Sequence, residues 1–173
     1  KALKWLFFPN DPYASFINNQ RLIFYQKTFQ KLVNNNYIPD CIILEFTHSI
    51  LLVDIIKTFF PTAKIIASSH DVNYIGSKRF WQKEKNFIFK FFRKRQYKNL
   101  RVREIEALSK CDLIVTQNMN DIDILKKEKK LEKKDYLRIV PYYDQYNDIK
   151  RKSDEKTIIF YGAMSRPENF LSV

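Results

Sequence analysis

The sequence predicts an α/β fold with a doubly wound parallel sheet, and two observations lead to this prediction. Short apolar runs bounded by polar residues recur along the chain, and stretches with apolar residues at helical spacing separate them. A short continuous apolar run is typical of a strand that is buried on both faces of a parallel sheet. The clearest such run, residues 63–69 (AKIIASS), stops abruptly at the polar residues His70 and Asp71.

The first part of the chain contains two predicted helices and one predicted strand. Residues 2–8 are too few to distinguish a strand from a helix, and residues 9–12 (PNDP) form a break. Apolar residues at helical spacing predict a helix over 14–35. Residues 40–46 (DCIILEF) predict a buried strand, and residues 48–60 predict a helix that the following proline stops.

The second part continues the alternation of strands and helices. The run 64–69 is the next strand, and the basic segment 78–110 predicts one or two helices. Residues 112–116 (DLIVT) predict a strand, residues 119–134 a highly charged helix, and residues 137–142 (LRIVPY) a short strand.

A polar stretch at 147–156 is typical of a linker, and residues 157–161 (TIIFY) predict a new strand that is followed by Gly162. We therefore expect a first domain over residues 1–150, and a linker with the first strand and helix start of a second domain over residues 151–173.

Composition predicts one folded domain with free thiols and without a membrane-spanning segment. The 173 residues, of which 45% are hydrophobic and 16% aromatic, suffice for one ordinary domain with a core. Cys41 and Cys111 border apolar runs, which predicts buried free thiols in a reducing cytoplasm, and a disulfide between them stays open. No apolar stretch reaches the roughly 18 residues of a membrane span. The chain begins with Lys1 rather than methionine, and Val173 lies inside a predicted helix. We therefore expect this chain to be a piece of a longer protein.

The net charge of +12 is concentrated in one segment. Residues 78–110 carry twelve Lys or Arg and three Glu, a net charge of +9 that favours polyanionic partners. Aromatic residues lie among these charges, and Phe80, Phe87 and Phe91 share one face if the segment is helical. Core packing with a solvated basic face is the first interpretation, an anionic membrane surface over residues 78–103 the second, and single-stranded nucleic acid the third.

The candidate site lies where the strands end. Right-handed crossovers bring the carboxyl ends of parallel strands to one edge of the sheet, where open α/β sheets bind ligands. Four segments would converge there: residues 45–48, 69–71, 116–118 and 141–143. His70 and Asp71 are the strongest candidates, although both could instead cap the following helix. Glu45 and Asn118 are candidates for polar contacts, whereas His48 is expected to start a helix.

Other site types are not expected from these residues. Two histidines without Cys/His spacing do not predict a metal site, and no cofactor is expected. Neither GxGxxG nor the P-loop pattern occurs, so a complete mononucleotide site is not predicted. Gly162 could allow close approach of a diphosphate or could form a plain turn.

The successive segments HDVNY, RVREIEALSKCDLIVTQNMND, LRIVPYYDQY and TIIFYGAMSRPENFLSV resemble retaining glycosyltransferases of the GT-B type, in the glycosyltransferase family 4 group. The resemblance covers residues 40–173. It implies two Rossmann-like domains that face each other across a cleft, with the family's first strands and acceptor loop upstream of this chain.

The resemblance also implies roles for individual residues. His70 matches the catalytic histidine that reaches the sugar, and Gly162 matches the glycine at the donor phosphates. Arg166 and Asn169 lie in the same donor-binding loop. Glu104 matches a family glutamate, for which a structural role stays open. Asp71, Glu45 and Asn118 would then face the acceptor.

The implied activity is metal-independent transfer of a sugar from a nucleotide diphosphate sugar to a hydroxyl of a carbohydrate or lipid-linked acceptor. The expected location is the cytoplasm, peripherally at the inner membrane face. A piece that lacks most of its donor domain is expected to be inactive alone, and exposed apolar surface would favour a homodimer. No nucleic acid is expected as a partner. The alternatives are a basic, non-enzymatic nucleic-acid-binding module and an inactive scaffold.

Overall fold

The computed structural model describes residues 18–140, which form an α/β fold with a four-stranded, all-parallel sheet. The strands lie side by side in chain order: β1 (Cys41–Glu45), β2 (Lys64–Ser69), β3 (Leu113–Thr116) and β4 (Asp135–Arg138). A doubly wound sheet also needs a point where the strand order reverses, and the order does not reverse within residues 18–140.

Six helices of the described residues connect and flank these strands. They are α1 (Asn19–Asn34), α2 (Thr47–Ile50), α3 (Val53–Phe59), α4 (Asn73–Lys83), α5 (Phe87–Ser109) and α6 (Met119–Lys126). The alternation of strands and helices predicted from the sequence is therefore confirmed in this part of the chain. The basic segment 78–110 belongs to two helices, α4 and α5.

The core lies around the two middle strands. Ile65 and Ala67 of β2 and Ile114 of β3 are completely buried, as the apolar runs predicted. The prediction that residues 40–46 form a buried strand is half right. β1 lies at an edge of the described sheet, and its side chains alternate between the two faces: Leu44 is 6% exposed in the core, whereas Ile43 on the opposite face is 60% exposed.

Two helices are shorter than predicted. The helix expected at 48–60 is divided into α2 and α3, and the helix expected at 119–134 ends at Lys126. Tertiary contacts explain the early end of α6. Leu131 turns inward and is completely buried, and its carbonyl oxygen accepts a hydrogen bond from the Tyr136 hydroxyl at 2.9 Å. The chain thus returns to the sheet early, and β4 begins at Asp135 rather than at residue 137.

The cysteine prediction is half right. Both thiols are free, but Cys41 is exposed on the edge strand while Cys111 is buried. Burial raises the pKa of the Cys111 thiol to about 11. Its Sγ lies 3.5 Å from the carbonyl oxygen of Ala107 in the last turns of α5.

Several predictions concern residues outside the described range 18–140. They are the uncertain element at 2–8, the break at 9–12, the linker and strand at 147–161, and the domain boundary at 150. Among the residues that the structure does describe, no helix combines the length and apolar character that crossing a bilayer requires.

Candidate functional site at the carboxyl edge of the sheet

Three neighbouring strands each deliver one polar side chain to the same edge of the sheet. Glu45 is the last residue of β1, His70 directly follows β2, and Gln117 directly follows β3. The strands end level with one another, because Glu45 pairs in register with Ser68, and Ser69 with Thr116. The predicted convergence of strand ends is therefore confirmed for these three segments.

His70 is held at both of its ring nitrogens. Its Nε2 lies 3.0 Å from Oε2 of Glu45, and its Nδ1 lies 3.1 Å from the amide nitrogen of Gln117. A carboxylate accepts and an amide NH₂ donates, so Nε2 carries the proton and Nδ1 accepts. The two contacts therefore hold the imidazole ring in one orientation. Its side chain is 34% exposed, which leaves it accessible to a ligand.

Glu45 is an ionised partner at the rim of this site. Hydrogen bonds from the side chains of His70 and Ser68 lower the pKa of the Glu45 carboxyl group below its usual value. The side chain of Glu45 is 58% exposed, so its charge is available to a ligand and screened by solvent.

Phe46 is the strained residue of the edge. Its φ of 65° and ψ of 147° lie in a region that residues with a side chain rarely adopt. The backbone is held there by hydrogen bonds: the Phe46 N–H donates to the Ser68 carbonyl at 3.1 Å, and the Ser49 hydroxyl donates to the carbonyls of Glu45 and Phe46. In this conformation the Phe46 ring stacks on His70 with centroids 4.3 Å apart.

The second histidine lies beside the same aromatic ring. His48 belongs to the short helix α2, as predicted, and its ring stacks on Phe46 with centroids 5.7 Å apart and planes 7° apart. The edge therefore combines two imidazoles, one half-exposed aromatic ring and one carboxylate. Such a mixture of apolar surface and a few oriented polar groups is typical of a small-ligand site.

Asp71 supports the loop through its backbone. Its carbonyl oxygen accepts hydrogen bonds from the hydroxyls of Thr47 at 3.0 Å and Ser69 at 3.2 Å, and both of these residues are buried. Its exposed side chain lies near Asp121, whose pKa is raised by burial and then by the charge of Asp71. Asp71 does not cap α4, because Val72 occupies the N-cap position.

Glu104 binds the start of α4 instead. This carboxylate is only 2% exposed, and it accepts hydrogen bonds from the backbone N–H groups of Asn73 at 3.2 Å and Tyr74 at 2.8 Å. A negative charge is favourable at a helix N-terminus, where N–H groups lack helical partners. A role in holding α4 at the sheet edge follows directly from these contacts.

Arg101 of α5 forms an ion pair with Glu128, which follows α6, at 2.5 Å.

Asn118 has a capping role in the structure. Its side-chain oxygen accepts from the Asp121 N–H at 2.9 Å, and its amide nitrogen donates to the Asp121 carboxylate at 2.8 Å. Asn118 is the predicted site residue of its segment, whereas Gln117 is the residue that contacts His70. The acceptor-binding role of Asn118 stays a prediction.

A cavity of about 610 Å³ opens beside this edge, between α2, α4 and α5. His48 and Asn73 line it near the strand ends, and Phe80 and Arg93 line it further along the two long helices. Arg93 is paired with Glu84 at 2.9 Å. The cavity is large enough for a sugar-sized or larger ligand.

The described residues contain no cluster of three or more His, Cys, Asp or Glu side chains that could hold a metal ion. The predicted donor-binding residues Gly162, Arg166 and Asn169 lie outside the described range. Comparisons with protein-family models, with curated proteins and with solved structures find no match to the chain.

Proposed function

We propose that this chain is the acceptor-side part of a glycosyltransferase with a Rossmann-like, doubly wound first domain. The reaction is the transfer of a sugar from a nucleotide diphosphate donor to a hydroxyl of a surface polysaccharide or a lipid-linked precursor. The observation that carries the proposal is the oriented, accessible imidazole of His70 at the carboxyl edge of a parallel sheet.

The neighbours of His70 suit a sugar in their chemistry. The carboxylate of Glu45 can accept hydrogen bonds from sugar hydroxyls, and the half-exposed ring of Phe46 offers apolar surface beside it. Glu45 and Gln117 keep the His70 ring in one orientation, which lowers the entropy cost of placing it against a substrate. A transition state with oxocarbenium character carries positive charge, and the ionised Glu45 would favour that charge nearby.

In the proposed function, the first predicted domain binds the acceptor and the second binds the donor. Residues of the first domain bind the acceptor and contact the transferred sugar, with Asp71 and Asn118 as further candidates for acceptor contacts. Gly162, Arg166 and Asn169 would bind the donor phosphates from the second domain, without a metal ion. Sugar transfer therefore requires both domains.

The test is His70→Ala in the protein that carries both domains. Release of nucleoside diphosphate is measured with a panel of uridine, guanosine and adenosine diphosphate hexoses. We expect turnover to fall by about a hundredfold or more, because an oriented acid, base or hydrogen-bond donor contributes on that order. The variant should keep the wild-type circular dichroism spectrum, since the ring is partly exposed.

Asp112→Asn is the matched control. Asp112 precedes β3 and therefore lies at the opposite, amino edge of the sheet, where its carboxylate accepts a hydrogen bond from the Ile65 N–H at 2.9 Å. This variant should keep wild-type turnover. Undiminished turnover of His70→Ala, or equal loss in both variants, would contradict the assigned role of His70.

The second candidate function is a non-enzymatic module that binds nucleic acid. It is favoured by the exposed aromatic residues that lie among the basic residues of α4 and α5. Gel shifts with single-stranded oligonucleotides at increasing salt separate the two functions. Tight binding that weakens steeply with salt, in a protein without transferase activity, supports this second candidate.

A further inference from the structure

The helical hairpin of α4 and α5 ends in an unusually apolar tip. Phe80 in α4 and Phe87, Phe89 and Phe91 in α5 are all between 59% and 80% exposed, and Ile88 is 45% exposed. These residues and the turn between them, residues 80–91, are called the hairpin tip below. The first interpretation of the sequence, that this aromatic set packs in the core, is therefore wrong for these side chains.

Their positions show that the tip projects from the domain. Residues 87, 88 and 89 point in three different directions around α5, because successive helical residues are about 100° apart. All three are nevertheless exposed, so this turn of α5 is surrounded by solvent on several sides. The two helices contact each other behind it, where the rings of Trp81 and Tyr97 stack with centroids 5.5 Å apart.

The tip and the helix residues next to it carry a dense positive charge around the aromatic residues. Residues 78–95, which include the tip, contain eight Lys or Arg and one Glu. The single acidic residue, Glu84, is paired with Arg93 at 2.9 Å. Lys83, Lys85 and Lys90 are exposed next to the phenylalanines. An apolar end surrounded by cationic side chains is complementary to a surface with anionic groups above a hydrocarbon layer.

We propose that the hairpin tip docks the protein on an anionic lipid bilayer. The phenylalanine rings enter the interface between headgroups and acyl chains, and the surrounding lysines bind lipid phosphates. A bilayer can surround a projecting turn on several sides at once, which matches the exposure of residues 87, 88 and 89 in different directions. Single-stranded nucleic acid fits less well, because bases stack on aromatic rings that follow one another along a groove.

The test measures binding of the full chain to sedimented vesicles. One set contains phosphatidylcholine alone, and the other contains phosphatidylcholine with phosphatidylglycerol. We expect binding to the anionic vesicles and little binding to the neutral ones. This readout needs no sugar transfer, so its failure would leave the proposed function standing, and loss of transferase activity would leave the docking proposal standing.

Two tip variants separate the apolar and electrostatic contributions. The triple variant Phe87→Ser, Phe89→Ser, Phe91→Ser should weaken binding to anionic vesicles by about a hundredfold or more, because three exposed rings lose their place in the interface. The triple variant Lys83→Gln, Lys85→Gln, Lys90→Gln should weaken it by about a hundredfold. Since these side chains are exposed, neither variant should change the circular dichroism spectrum.

The control removes the same charge from another part of the surface. Lys127, Lys129 and Lys133 are exposed beyond α6, and their triple replacement by Gln should change vesicle binding by less than about threefold, because distant exposed charges are screened. The docking proposal is overturned if the phenylalanine variant binds anionic vesicles like the wild type or if both lysine variants weaken binding equally. It is also overturned if the tip binds single-stranded oligonucleotides and the chain does not sediment with vesicles.

Discussion

The two ends of α5 differ in what their apolar side chains contact. At the amino end, Phe87 is 80% and Phe91 is 64% exposed, whereas near the carboxyl end Leu100 is 4% and Leu108 is 2% exposed. The charges differ in the same way. Lysines at the amino end are exposed, while Glu104 near the carboxyl end is buried and bound to the start of α4. One continuous helix thus serves as surface at one end and as core at the other.

This difference shows that an apolar residue in a helix is buried only where other elements pack against it. The aromatic positions of the tip and the aliphatic positions of the buried end both look like core positions in the sequence. Burial on folding stabilises only the second group, so the two groups should respond very differently to substitution.

The largest expected contrast is in the chemical reactivity of the two thiols. Cys111 lies under the buried end of α5 and its pKa is raised to about 11, while Cys41 is exposed on β1. At pH 8 an aromatic disulfide reagent should label Cys41 at least about a thousandfold faster than Cys111, which reacts only when the structure opens. Labelling kinetics with the Cys41→Ser variant isolate the slow thiol; fast labelling of Cys111 would contradict its burial.

The same thiol gives a pH dependence with a defined sign. A raised pKa means that the folded state retains the thiol proton while the unfolded chain loses it. The free energy of unfolding should therefore fall as pH rises from the usual thiol pKa towards about 11. Urea unfolding of the wild type and of Cys111→Ala over this range isolates the contribution of the thiol, because the fall with pH that the thiol causes should be absent from the variant.

The next contrast compares apolar side chains at the two ends of the helix. Leu108→Ala should lower the free energy of unfolding by about 3 kcal/mol, because it leaves a cavity in the core. Phe91→Ala should change that free energy by less than about 0.5 kcal/mol, because its ring is mostly exposed. Urea denaturation of both variants provides the measurement, and similar losses would mean that the tip packs against part of the chain.

The smallest contrast concerns two glutamates on α5. Glu104→Gln should cost about 2 kcal/mol of unfolding free energy, because the neutral amide cannot serve both N–H groups of α4 as well as a carboxylate does. Glu106→Gln removes an exposed pair with Lys130 and should cost less than about 0.5 kcal/mol. Equal effects in thermal or urea unfolding would show that Glu104 contributes nothing specific at the helix start.

The sequence was sufficient to place His70 and Glu45 at one edge of the sheet, but it did not identify Gln117 as the second partner of the His70 ring. The bounds of β2 and the placement of His70 directly after it follow from one abrupt change of composition, which is a local signal. The contact of Gln117 with His70 joins residues 47 positions apart, and the contact of Glu104 with Tyr74 joins residues 30 positions apart. No local pattern encodes such pairings, because they depend on how the strands are placed.

The other differences between the predicted and the observed structure also depend on residues that are distant in the chain. Ile43 lies in an apolar run but is exposed, because it points to the opposite face of β1 from the buried Leu44. Phe46 adopts a positive φ, which the residue type does not predict. Hydrogen bonds with other residues hold its backbone in this conformation. Local composition predicts elements, whereas burial and strain are decided by neighbours that are distant in the chain.

The contact between Gln117 and His70 depends on which ring nitrogen carries a proton. The amide of Gln117 can present its NH₂ group to the His70 ring only while Nδ1 carries no proton. In the reaction proposed above, a proton transferred from a substrate to the imidazole would make Nδ1 a donor, and the amide would have to turn over to offer its carbonyl oxygen. The NH₂ group then faces the opposite direction. Proton transfer to one ring would thus reverse the polarity of an adjacent side chain while the backbone stays in place.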